Sequence, residues 1–138
     1  MALDPPAVQA TGFRHVERAS GVDYRWILGP TATITLALGA PKHLKLIFTA
    51  SNPIDDQDIV IILNGKDIAK FKTIPKDDRL LGFKKYEALL DAAAGTNELT
   101  LTFSRYNHRT PQETFAAVDQ DPLAIMISHF EITELGPE

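Results

Sequence analysis

From Gly12 onward, short apolar segments alternate with clusters of Gly, Pro, Asn and Asp. This is the spacing of an all-β protein built from short strands and turns. Ala32-Thr33-Ile34-Thr35-Leu36-Ala37-Leu38 runs with period two, which puts Ile34, Leu36 and Leu38 on one face and the threonines on the other. Leu44, Leu46, Phe48 and Ala50 repeat the pattern, and Ile47 on the opposite side suggests that both faces are partly covered. Asp58 to Leu63 is a continuous β-branched run leading straight into Asn64-Gly65. That dipeptide tolerates positive φ at both positions and predicts a type I′ hairpin, with Asp67 to Lys72 as the return strand.

The segment Leu80 to Asp91 is ambiguous, because Lys84, Glu87, Ala88, Leu89, Ala92 and Ala93 favour helix and Gly95 is placed like a C-terminal cap. Consistency with its all-β surroundings favours a strand over 83–88 followed by a short helical turn near 89–94. Asn97 to Arg105 alternates again, with Leu99, Leu101 and Phe103 inward. Tyr106 to Asp121 is a long polar connection, a length more often functional or disordered than neutral. The last strand spans about 123–133, with Met126, Phe130 and Ile132 expected on one face and Ile125 and Ile127 on the other. Apolar residues on both sides mark it as central. The pattern predicts an antiparallel two-sheet sandwich of about eight strands at 12–135, with 1–11 as an N-terminal extension and 136–138 as a tail.

Composition narrows the chemistry. The 138 residues carry 14 Lys+Arg and 18 Asp+Glu, a net charge of -4, with 44% hydrophobic residues and no Cys. The absence of cysteine excludes disulfide scaffolds, zinc–thiolate sites and cysteine nucleophiles. The mild acidity argues against nucleic acid as a partner. Met1 to Gln9 contain no Lys or Arg, so no signal peptide is expected, and Ile59 to Leu63, the longest aliphatic run, is far short of the ~20 residues of a membrane span. No membrane insertion is expected. His15, His43, His108 and His129 form no H-x-H or H-E-x-x-H pair, and neither a G-x-S-x-G elbow nor a phosphate-binding glycine loop occurs. No catalytic constellation is recognisable, so the expectation is a non-enzyme with no cofactor. Asp55, Asp56 and Asp58 offer oxygen ligands of the kind Ca²⁺ takes but lack EF-hand spacing. Between residues 66 and 85 seven Lys/Arg face three Asp, which reads either as a patch for an anionic partner or as edge strands guarded against pairing.

Four pieces in order resemble the galactose-binding-like jelly roll of many carbohydrate-binding modules. They are Gly12-Phe13-Arg14-His15-Val16-Glu17 with Tyr24-Arg25-Trp26 after it, Ile61-Ile62-Leu63-Asn64-Gly65-Lys66, Gly95-Thr96-Asn97-Glu98-Leu99-Thr100-Leu101, and Asp121-Pro122 running into Leu123 to Ile132. The resemblance implies a noncatalytic sugar-binding or accessory domain of glycosyl-active enzymes, with a parent enzyme or a second copy of the chain as its protein partner. Two residue sets suit a sugar. Tyr24 and Trp26, two apart on a strand, share one face that could stack on a pyranose, although a lone Trp is also a common core residue. Arg105, Tyr106, Asn107 and His108 combine forked donors, an aromatic and an amide just after a strand. Their alternative reading is a solvated turn. A structural or protein-interaction domain of the same fold, without a sugar site, is the first rival to sugar binding, and a small enzyme with convergent titratable groups in a pocket is the second.

Overall fold

The computed structural model describes residues 9–19, 21–77 and 82–135. Ten strands follow one another: β1 (Gln9–Thr11), β2 (Glu17–Ala19), β3 (Val22–Leu28), β4 (Thr31–Leu38), β5 (Lys42–Ser51), β6 (Gln57–Leu63), β7 (Lys66–Ile74), β8 (Lys84–Ala92), β9 (Gly95–Phe103) and β10 (Leu123–Glu134). They form two antiparallel five-stranded sheets, ordered β1-β4-β9-β6-β7 and β2-β3-β10-β5-β8. This is a jelly-roll sandwich. The two strands beyond the expected eight lie near the N-terminus, where Gln9–Thr11 pair with Thr33–Thr35 of β4. Part of the expected N-terminal extension therefore belongs to the sandwich. The rest of it, and the 136–138 tail, lie outside the described residues.

The inward positions of the alternating strands make the core. Ile34, Leu36, Ile59, Ile61, Leu99, Leu101 and Phe103 from one sheet meet Leu46, Phe48, Ala50, Leu90, Ile125, Ile127 and Phe130 from the other. Phe48 stacks on Phe130 at 6.0 Å and on Tyr86 at 5.1 Å, closing the core beneath β8. Burying each such side chain stabilises the fold by ~1.5–3 kcal/mol. Asn64 and Gly65 have φ of 51° and 83°, the left-handed pair a type I′ turn requires.

Two local expectations are corrected. Residues 89–92 are strand, because β8 pairs with β5 from Lys42↔Ala92 to Ala50↔Lys84 and its inward positions Ala88, Leu90 and Ala92 are buried. Tertiary pairing outweighs the helix propensity of this segment. Its turn is closed by the buried Asn97, whose Oδ1 accepts from the Ala93 N–H and whose Nδ2 donates to the Ala93 carbonyl. The second correction concerns β10, where the register slips between Ile127 and His129. This bulge re-aims the strand. Phe130 and Ile132 consequently join Ile125 and Ile127 in the core, while Met126 pairs with Trp26 on the outer face.

β5, β7 and β9 are each followed along the chain by a strand of the other sheet. The lysines of 66–85 run along the outermost strands, with Lys66, Lys70 and Lys72 on β7 and Lys84 and Lys85 on β8, all exposed. Charges there oppose edge-to-edge pairing. Arg79 lies outside the described residues.

Candidate functional site

The long connection between β9 and β10 is built around two side chains. Asn107 is fully buried. Its Nδ2 donates to the carbonyls of Ala116, Asp119 and Asp121 at 3.0, 3.3 and 3.2 Å, and its Oδ1 accepts from the N–H groups of Phe115 and Ala116, both at 3.1 Å. Two N–H bonds and two lone pairs are thereby all used. The second organiser is Glu113, at the end of a single 3₁₀ turn (Pro111–Glu113) capped by Thr110, with a side chain only 6% exposed. Its carboxylate accepts from Arg109 Nε at 2.8 Å, from Arg105 Nη1 at 3.4 Å and from the Tyr106 N–H at 3.3 Å. The hydrogen bond from Arg109 holds its pKa below the ordinary glutamate range, against the opposing effect of burial.

Arg105 is fixed from three sides. Its backbone exchanges two hydrogen bonds with the side-chain amide of buried Gln57, and its Nε donates to the Asp56 carbonyl at 3.2 Å. Opposite it, the β5–β6 loop is locked by buried Asn52, which donates to the carbonyls of Ile54, Ile74 and Pro75. Asp55 accepts from the Lys76 N–H at 2.9 Å. These fixed walls enclose an open cleft of about 290 Å³. Pro53, Ile54 and Phe115 supply its apolar surface, and Asp55, Asp56, Lys76, Arg105 and Gln112 its polar rim. Phe115 is 38% exposed and stacks on Trp26 at 5.9 Å with an interplanar angle of 30°.

The residues expected from sequence separate into three places. Arg105 lines the cleft, and Trp26, half-buried on the outer sheet face, reaches it only through Phe115. Tyr106 packs against the core beneath Gly29, and Asn107 is internal scaffold. Tyr24 and His108 lie on a separate cluster centred on Arg14. There the Tyr24 hydroxyl donates to Glu17 at 3.4 Å, and His108, with φ of 71°, places Nε2 2.6 Å from the Asp119 carbonyl. Tyr24 and Trp26 take alternate positions of β3, Tyr24 in the Arg14 cluster that also holds His108 and Trp26 against Phe115. Phe115 was not among the residues expected from sequence, and Lys76, read there as part of a basic stretch, lines the cleft as well. The available signal was Phe115 itself, the one Phe, Tyr or Trp between residues 107 and 121.

Among the described residues, no group of three or more His, Asp or Glu side chains is arranged to hold a metal ion. Asp55 accepts a hydrogen bond from the Lys76 N–H and Asp58 from the Thr73 N–H. Among the same residues no helix is long and apolar enough to cross a membrane.

No sequence-family model matches the chain, and no curated protein matches it by sequence. Solved structures do match its fold. A family 35 carbohydrate-binding module from Clostridium thermocellum superposes with a TM-score of 0.54 at 10% identity, over 91% of this chain and 90% of that one. The C-terminal family 6 module of LamC, a marine laminarinase from Zobellia galactanivorans, gives 0.53 at 11% identity over 91% and 90%. A family 6 module of Cellvibrio mixtus lichenase 5A, solved with cellotriose, gives 0.52 at 7% identity over 93% and 91%. The chain thus shares the jelly-roll β-sandwich fold of these carbohydrate-binding modules of families 6 and 35.

Proposed function

We propose that this chain is a noncatalytic carbohydrate-binding module that takes a sugar in the cleft between the β5–β6 loop and the β9–β10 connection. The observation that carries the reading is the Phe115 ring, exposed on one side and backed by Trp26 on the other, beside Arg105 and Gln112. A rigid aromatic face suits the C–H face of a pyranose, and flanking guanidinium and amide donors suit its hydroxyls. The polar rim mixes donors with the acceptors Asp55 and Asp56, which fits hydroxyl groups that both donate and accept. Glu113, held ionised by arginine, serves to anchor the loop and is poorly suited to donating a proton as a glycosidase acid does. The fold shared with known carbohydrate-binding modules supports the same reading.

The test is a titration with a panel of mono- and oligosaccharides, read by the emission of Trp26, the chain's single tryptophan, and by calorimetry. A saturable change with at least one sugar, lost in Phe115→Ala and weakened in Arg105→Ala, is the expected result. Heat and emission indifferent to every sugar would instead favour a structural or protein-interaction domain of the same fold.

A further inference from the structure

Away from the cleft, Arg14 is the most heavily engaged side chain of the N-terminal segment. One guanidinium faces three carboxylates: Asp119 at 2.7 Å, Glu17 at 3.2 Å and Asp121 at 3.3 Å. The side chain is 19% exposed, so solvent screens these bonds less than those of a surface pair. The Arg14 backbone belongs to the strand layer, since its N–H donates to the Trp26 carbonyl at 2.9 Å and its carbonyl accepts from Arg25 Nε at 2.7 Å. Its side chain grips the loop: the carbonyl of Asp119 accepts from Asn107, and the amide oxygen of Asn107 accepts from the Phe115 N–H. A continuous path therefore runs from the backbone of Trp26 through Arg14, Asp119 and Asn107 to Phe115. It closes where the Phe115 and Trp26 rings stack. Asp119 is held below the ordinary aspartate range chiefly by its hydrogen bond to Arg14, as a tight contact requires.

We infer that Arg14 is a positioning residue of the sugar cleft: by tying Asp119 and Asp121 to the strand that carries Trp26, it seats the Phe115 ring on Trp26 and so sets the apolar wall of the site. Without the cation, Glu17, Asp119 and Asp121 repel one another and the loop moves off the strand. The inference rests on the reading of the cleft as a sugar site, but its first readout needs no sugar.

Trp26 emission and its quenching by acrylamide are measured in the unaltered chain, Arg14→Gln, Phe115→Ala and the double variant. Losing the stacked ring exposes Trp26, so Phe115→Ala shifts emission to the red and raises quenching. Arg14→Gln shifts emission in the same direction while far-UV circular dichroism stays native, and adds nothing in the Phe115→Ala background. An unshifted Arg14→Gln spectrum, or the same added shift with and without Phe115, would overturn the inference, because Arg14 would then not act through Phe115. Asp119→Asn, which removes the shortest of the three ion pairs and keeps the backbone carbonyl that Asn107 holds, is read in the same way if Arg14→Gln fails to fold. With a sugar that binds the unaltered chain, Arg14→Gln weakens binding about tenfold, ~1.4 kcal/mol. Failure of all sugars to bind refutes the cleft and leaves the fluorescence result standing. Binding unaffected by Arg14→Gln refutes the positioning role alone.

Discussion

Asn107→Ala separates scaffold from ligand contact more sharply than any other substitution. The Asn107 amide satisfies backbone groups at residues 115, 116, 119 and 121 and is fully buried, so it has no hydrogen-bonding capacity left for a sugar. Its two donors and two acceptors each contribute a net ~1 kcal/mol, about 4 kcal/mol together. Water entering the vacated space would recover part of this. The expected loss is thus ~3 kcal/mol, and at ~3 °C per kcal/mol for a domain of this size the melting temperature falls by about 10 °C. Urea denaturation and calorimetry measure the loss. Hydrogen exchange locates it, since the N–H groups of Phe115 and Ala116 should lose protection while those of β4, β6 and β9 keep their order. A loss below ~1 kcal/mol with protection of 115 and 116 unchanged would refute the argument, because it would mean the loop holds its shape without the amide.

Two other perturbations probe the same end of the sandwich. A methyl group built on Gly29 lies 2.7 Å from Cδ1 and 2.8 Å from Cγ of Tyr106, so Gly29→Ala should cost ~1–3 kcal/mol by overpacking. Gly29→Ala combined with Tyr106→Leu should recover part of that loss, and an unchanged melting temperature in the single variant would contradict the close approach. For Glu113 the sign follows from its lowered folded-state pKa. Its stabilisation is fully present above the unfolded glutamate value of ~4.3 and is lost as pH falls through the lower folded value. Glu113→Gln should therefore cost ~2 kcal/mol at neutral pH, and the gap between the two chains should narrow as denaturation is repeated towards pH 3. A gap independent of pH would rule out the ion pairs as its source.

The parts of this protein legible in its sequence are those decided by near neighbours along the chain. Period-two alternation marks β4 and β9 because one face of each strand meets the core and the other does not. Asn64-Gly65 specifies its turn through the φ values those two residues tolerate. Arg105 was legible as a candidate because a forked donor follows a strong strand, and it lines the cleft. Other features depended on partners distant in sequence. Residues 89–92 are strand because β5, more than 40 residues earlier, pairs with them, and no local propensity records that. The bulge after Ile127 reverses which face Phe130 occupies, since a single extra residue inverts a period of two. Asn107 reads as a binding amide until the fold buries it, and Phe115 reads as a stray aromatic in a polar loop until β3 brings Trp26 beneath it. The sequence by itself determined the two-sheet sandwich, its Asn64-Gly65 turn and the place along the chain of the long connection before the last strand. Only tertiary structure decided which side chains of that loop line the cleft and which hold the loop in place, because a loop's side chains obey no period and their exposure depends on what the rest of the chain packs against them.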